Sequence, residues 1–428
     1  MRYRKEGNRI EGGRKEFVKN RTVAIFLKKG GNKMVRKQLF IGLVGLFICG
    51  FIFMGSAMHA AAQNTLKIGV IWGLSGPGSQ MQALMRDSAV LAVEWINSKG
   101  GITVGGQKYK IELLVEDNKN TAEGSTSAAT KLVHRDKVKF ITGMVVPFQF
   151  EAVQAVSEPN QVILNTSRCG YLNPKNRYTF SAVQSFVAPY PGLYHFLLKM
   201  YSSVKTVGFS AHDEPGALAT LKVAQEVAKG HGLKLLDSVS TQFGTKEYYP
   251  AWTKLLKDKP DVVDIGISFP DSLAANVRQG REIGFKGPIL SPGTGDSTMF
   301  VNLIGKDMAT DFLFAGFDMF APDNPAMVKQ IMKLWEDKYK KPFNLDALDA
   351  WSTVWALTQA IEKAQSLDPT QVVKIWENMK SIETPWGAGT MGGAKTYGIN
   401  HMVLAPAPIS RLQNGKVDST HWYKPDVP

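Results

Sequence analysis

The sequence predicts an α/β protein of two lobes, each a parallel sheet with helices on both faces. Three observations carry this. Short β-branched runs alternate with helix-length amphipathic segments. The alternation occurs as two successive series. No low-complexity linker parts them, so extended crossings rather than a floppy tether join the lobes. The chain has 428 residues, 44% hydrophobic and 21% charged, and at roughly 100–200 residues per domain two domains are expected. The net charge of +14 is unevenly placed: residues 1–62 hold 13 Lys/Arg against 3 Glu. The remainder is nearly balanced, which argues against nucleic acid as a partner.

At the N-terminus, Arg36-Lys37 precedes the uncharged stretch Leu39–Met54, and Ala60-Ala61-Ala62 follows. A basic region, an apolar core and an A-x-A site describe a secretory signal peptide over 34–62, cut after Ala62 with Ala60 the nearest competitor. The alternative, a retained anchor, would need a slightly longer apolar span. Cys49 follows bulky Ile48, which disfavours lipoprotein processing. Residues 1–33 are too long and too charged for this design, and Met34 is the better start. The codons of Gly30-Gly31 can read as a ribosome-binding sequence, so 1–33 is expected to be an untranslated leader. Any peptide from before Met34 in the unprocessed precursor would refute that. Cys169 is then the sole cysteine after cleavage, which leaves no intramolecular disulfide. Without CxxC, HExxH or a His/Cys cluster, no metal and no cofactor are expected.

The first series begins with Thr65–Trp72, a buried strand, and the turn Gly73–Gly78. A helix over 82–98 sets Leu84, Ala89, Ala92, Val93 and Ile96 near one face. Tyr109–Glu116 is a strand, 121–136 a helix, Lys139–Met144 a strand, 149–158 a helix and Gln161–Asn165 a strand. The second series has strands at Thr206–Ser210, Leu233–Val239, Asp261–Ser268 and Pro288–Leu290, among helices near 189–202, 215–230, 248–258 and 271–283. Phe312–Phe320 is another strand, and 324–340, 346–365 and 369–380 are helices. His401–Ala407 and Ile409–Leu412 are closing apolar runs before the Asn414-Gly415 turn. In open α/β sheets the ligand crevice lies beyond the carboxyl ends of the strands. The candidate cleft loops are therefore 72–82, 144–149, 165–171, 210–216, 268–271 and 291–298, where helix N-termini suit an anion.

Gly73-Leu74-Ser75-Gly76-Pro77, the run Ala92–Ile102, Lys110–Asn118, Pro260–Val263 and Ala350–Leu357 together resemble the type I periplasmic solute-binding proteins of the branched-chain amino acid and amide class of ABC importers. The resemblance spans 65–416. It implies two Rossmann-like lobes joined by three hinge crossings, expected near 184–188, 317–321 and 388–400. Lobe one would comprise 63–186 and 319–390, and lobe two 187–318 and 391–428. It also implies a periplasmic, monomeric, non-enzymatic protein that closes on a small solute and presents the closed form to permease subunits in the inner membrane.

In the amino-acid-binding members, a Ser/Thr-rich loop of lobe one holds the α-carboxylate and an acidic residue of lobe two the α-ammonium. Here Pro147 stands roughly where the hydroxyl is expected, and it offers neither hydroxyl nor N–H. Near Gly293 the carboxylate is out of register, at Asp296. Met81 replaces a flanking aromatic. With Trp72, Val146, Phe148, Gln149 and Phe269 the predicted lining is largely apolar. Arg168 is placed to hold a carboxylate by two parallel hydrogen bonds, with Ser167 and a helix N-terminus assisting, and Asp213 and Glu214 form a polar wall or helix cap. This points to a hydrophobic or aromatic carboxylic acid, with a branched-chain amino acid or amide as the alternative. A sensor for a membrane receptor is a further alternative. A hydrolase on the same scaffold is disfavoured by the lack of G-x-S-x-G, metal-ligand spacing and a phosphate loop.

Overall fold

The computed structural model describes residues 64–76, 79–143, 147–167, 172–242, 245–268, 270–341 and 343–424. The signal region and leader predicted over 1–62 lie outside the described residues. Residues 63–428 form one compact unit containing two sheets. The first has nine strands in the order β12-β13-β14-β6-β5-β4-β1-β3-β2, with β12 (Ile382–Thr384) at its edge, and the second seven in the order β16-β15-β11-β10-β9-β7-β8. The mixed α/β architecture with two largely parallel sheets is the predicted one.

In the first lobe, β1 (Asn64–Trp72) pairs in parallel with β3 (Gln107–Asp117) and β4 (Phe140–Gly143). β5 (Ile163–Thr166) and β6 (Thr179–Ser181) extend the parallel set, and β2 (Ile102–Val104) closes one edge antiparallel to β3. Helices α1 (Ser79–Ser98), α2 (Ala122–Thr130) and α3 (Pro147–Ser157) follow strands β1, β3 and β4. Each run of apolar side chains on a helix needs a sheet face to cover it. For α1 the cover includes α10 (Leu345–Ala364), where Trp351 and Trp355 each meet Trp95 with centroids 5.4 Å apart. α9 (Ala326–Tyr339) and α11 (Pro369–Trp376) join the same core through Trp335 and Trp376.

In the second lobe, β7 (Thr206–His212), β8 (Lys234–Thr241), β9 (Val262–Asp264), β10 (Ile289–Asp296) and β11 (Phe312–Phe317) are parallel neighbours. Around them lie α4 (Tyr190–Met200), α5 (Pro215–Gly230), α6 (Tyr249–Leu255), α7 (Pro270–Glu282) and α8 (Ser297–Ile304). The antiparallel ribbon β15 (Ala407–Gln413) and β16 (Lys416–Tyr423) closes its edge through the Asn414-Gly415 turn.

Three expectations need correction. The third crossing does not fall at 388–400. β13 (Gly387–Gly392) and β14 (Met402–Leu404) pair with each other, and Met402 pairs with Ser181 of β6, so 391–404 belongs to the first sheet. The chain changes sheet only at Ala405-Pro406, because β14 needs β6 as its partner. The strand expected over Asp261–Ser268 ends at Asp264, since Gly266 takes φ +62. β10 continues through Pro292-Gly293 to Asp296, although that dipeptide reads as a turn. A register shift against β11 between Ser291 and Gly295 absorbs the irregularity. The passages between sheets lie side by side. They share a cavity of about 40 Å³ lined by Val183, Gln184, Gly316, Pro406 and Ala407 among others, and Gln184 accepts the Ala405 N–H at 3.1 Å.

Candidate functional site

The carboxyl ends of the parallel strands define the candidate site in each lobe. In lobe one the loop after β3 is fastened to the loop after β1. Asp117 accepts the N–H groups of Leu74 and Lys119, both at 2.8 Å, and the Ser75 hydroxyl at 2.7 Å. Partial burial works to raise the Asp117 pKa, but the Ser75 hydroxyl and these N–H donors prevail and hold it below the ordinary carboxylate value. Trp72 accepts the Asn118 N–H through its carbonyl at 3.0 Å, and Asn118 turns the chain by accepting the Asn120 N–H at 2.9 Å. Lys119 and Asn120 are both left-handed, at φ 55 and 57. That conformation brings the Asn120 amide back over Gly73, where a Cβ would run into it.

Three side-chain amides meet at this edge. The Gly73 N–H donates to Gln82 Oε1 at 2.7 Å, Gln82 Nε2 donates to Asn120 Oδ1, and Gln149 Nε2 donates to the same oxygen at 3.0 Å. Gln82 and Gln149 are buried, and Gln149 Oε1 has no hydrogen-bond partner. Such an unmet buried acceptor costs about 1–3 kcal/mol. One residue before the strand's exit loop, Gly143 stands at φ +126 against the Ile71 carbonyl, a position closed to any side chain.

In lobe two, His212 ends β7 with Nε2 2.8 Å from the Ser268 hydroxyl and Nδ1 3.2 Å from that of Thr241. Asp264 ends β9, wholly buried. It accepts the Tyr194 hydroxyl at 2.8 Å and the Gly266 N–H at 2.9 Å. Burial pushes its pKa up to about 6 despite both hydrogen bonds, and the same burial together with the Asp264 charge drives Tyr190 and Tyr194 well above the ordinary phenol value.

The predicted site residues divide sharply. Gln149 and Ser167 are fully buried at the lobe-one edge, the latter just beyond β5. Met81 is exposed in the first turn of α1. Gly293 lies on β10, where a Cβ would touch Phe186 of the first crossing at 3.7 Å. Asp213 is exposed at the end of β7. One prediction is corrected. Trp72 is completely buried with Val70, Met85 and Ala350, so it is core beneath the rim rather than lining. Of the two roles expected for Glu214, the structure shows the helix cap: its carboxylate accepts the Gly216 and Ala217 N–H groups at the start of α5. Val146, Arg168 and Phe269 lie outside the described residues, and for Pro147, Phe148 and Asp296 the backbone alone is described. The sequence reading missed Gln82, Asn120, Asp264 and Tyr194 as parts of the site edges. A polar Gln at the head of an apolar helix face, and Asn-Lys-Asn directly after a strand, were the available signals.

The sequence profile of the periplasmic binding protein family matches residues 65–416, and the chain belongs to that family. Within it, the chain is a type I solute-binding protein of the branched-chain amino acid ABC-transporter class. It is 24% identical over 367 residues to the leucine-, isoleucine-, valine-, threonine- and alanine-binding protein of Pseudomonas aeruginosa, covering 84% of this chain and 92% of that one. The fold is shared with the substrate-binding protein LivJ of Streptococcus pneumoniae in complex with isoleucine (TM-score 0.66, 20% identity, 85% of this chain and all of the other). It is shared equally with a solute-binding protein of an ABC transporter from Rhodopseudomonas palustris in complex with 3,4-dihydroxybenzoic acid (TM-score 0.67, 17% identity, 85% and 98%). These relatives are solute-binding proteins rather than enzymes. Among the described residues, no helix is long and apolar enough to cross a membrane.

Proposed function

We propose that this chain captures a small organic acid with an apolar or aromatic body between its two lobes and delivers it, as a monomer, to the permease of an ABC importer. The observation that carries the ligand class is the state of the lobe-two carboxylates. Glu214 is committed to its own helix and Asp264 to Tyr194 and Gly266, so the ammonium of an amino acid would fall to Asp213, exposed after β7, or to the out-of-register Asp296. On the lobe-one side, α3 opens on Pro147. The N-terminus of that helix and buried Ser167 lie at this edge, and Arg168, next to Ser167 in the sequence, is the residue proposed to receive the anion. The aromatic acid bound by the Rhodopseudomonas palustris protein accords with this reading. The amino acids named for the Pseudomonas aeruginosa relative favour the alternative.

A thermal-shift panel of aromatic acids, dicarboxylates, amides and branched-chain amino acids decides between them. A ligand at about 100 times its Kd stabilises the protein by roughly 2.7 kcal/mol. Aromatic or other apolar acids are expected to raise the melting temperature, and Arg168→Ala to abolish the rise. A shift with leucine or valine alone would overturn the ligand class and leave the transport role standing.

A further inference from the structure

We infer that Gln149 is a specificity-determining residue whose side-chain oxygen receives a hydrogen-bond donor of the solute, a hydroxyl or an N–H group. The inference rests on the solute-binding role proposed above and adds a requirement that an apolar acid pocket does not contain. The argument is one of polarity. A side-chain amide can be turned over, exchanging its oxygen and nitrogen, unless a neighbour of fixed character decides its orientation. Here a backbone group decides it. The Gly73 N–H can only donate, so the Gln82 atom 2.7 Å away is the oxygen. The Gln82 nitrogen therefore faces Asn120 and donates to its oxygen. With Asn120 Oδ1 fixed as an acceptor, the Gln149 atom 3.0 Å from it must be the nitrogen. One donor in the main chain thus orients three amides in succession, and the relay ends on Gln149 Oε1, which meets no partner.

Its place in the fold gives this unmet acceptor a purpose. Gly73 follows β1, Asn120 follows β3, and Gln149 lies in the first turn of the helix after β4, so the whole relay sits at the carboxyl edge where solutes bind. Gln149 is completely buried, and the relay cannot present an N–H there without breaking one of its own hydrogen bonds. A ligand with a hydroxyl or N–H at this point satisfies the site, whereas a ligand with only a carbonyl or carboxylate oxygen meets oxygen with oxygen.

Calorimetric titration of the purified protein with two matched pairs tests this: 4-hydroxybenzoate against benzoate, and threonine against valine. In the pair that binds, the hydroxylated member is expected to bind tighter by roughly tenfold or more. Gln149→Met should remove the preference, bringing the two members of the pair to equal affinity. Gln82→Glu, at a residue two hydrogen bonds away from the acceptor, should reduce the same preference because it removes the donor that holds Asn120 in place. That variant keeps the test decisive where Gln149→Met fails to fold, as judged by a ligand-free melt. Equal affinities within the pair, or a preference that survives both variants, would overturn the inference. Binding of the threonine–valine pair alone would overturn the organic-acid reading and still decide the role of Gln149, and binding of neither pair would overturn both.

Discussion

The two lobes repeat one design, strands feeding helices that run back along the sheet, yet they finish their facing edges with different chemistry. Lobe one ends in neutral amides ordered by a main-chain donor, with Asp117 held by three hydrogen-bond donors. Lobe two ends in a buried carboxylate shared with a tyrosine, and in a histidine between two hydroxyls. A neutral relay keeps its polarity at any ordinary pH, because nothing in it titrates. A buried carboxylate without a cationic partner pays for its charge in lost hydration. The lesson is that similar folds can place an amide relay indifferent to pH at one edge and a buried, pH-responsive carboxylate at the other.

The largest expected effects come from emptying each core. Trp351→Ala in lobe one and Trp252→Ala in lobe two should each cost about 3–5 kcal/mol in denaturant unfolding. Trp252 should lie at the upper end. Its indole N–H donates to both the carbonyl and the side chain of Asn276 at 2.8 Å, whereas that of Trp351 has no partner to lose. Equal costs would remove that distinction between the cores.

Asp264 sharpens the comparison through pH. Its folded pKa of about 6 lies above the unfolded value near 3.9. The native state therefore binds more protons than the unfolded chain between these values. The stability this contributes is complete below about pH 4 and is lost as pH rises through about 6, a change of about 3 kcal/mol. Melting curves from pH 4 to 8 should show this decline in the wild type and a flatter course in Asp264→Asn. Parallel curves for the two proteins would count against it.

A smaller effect is expected at the α5 cap. Glu214→Ala should cost about 1 kcal/mol with solute affinity unchanged, since the carboxylate serves its own helix. A large loss of affinity would return Glu214 to the binding site. Least of all, Lys333→Ala breaks an exposed i,i+4 pair with Asp337 and should change stability by less than about 0.5 kcal/mol.

The alternation of strands and helices was legible in the sequence because it rests on local periodicity, and the order β1 to β11 with its intervening helices is largely written in apolar spacing. The sequence also placed Gln149 and Ser167 beyond the carboxyl ends of strands, where the structure has them in the first turn of α3 and just after β5. The position of the third crossing was not legible, because β14 belongs to lobe one only by pairing with β6, more than 200 residues earlier in the chain. Nor was the continuation of β10 past Pro292, which depends on the partner strand β11. The amide relay joins Gly73, Gln82, Asn120 and Gln149, and Asp264 meets Tyr194 across 70 positions. No local pattern encodes such pairs: the sequence alone settles which segments become strands and helices, because backbone propensity and the burial of one face act over a few residues. Only the tertiary structure decides which polar groups meet at the ends of those segments, because the strength and direction of a hydrogen bond depend on a separation that folding creates.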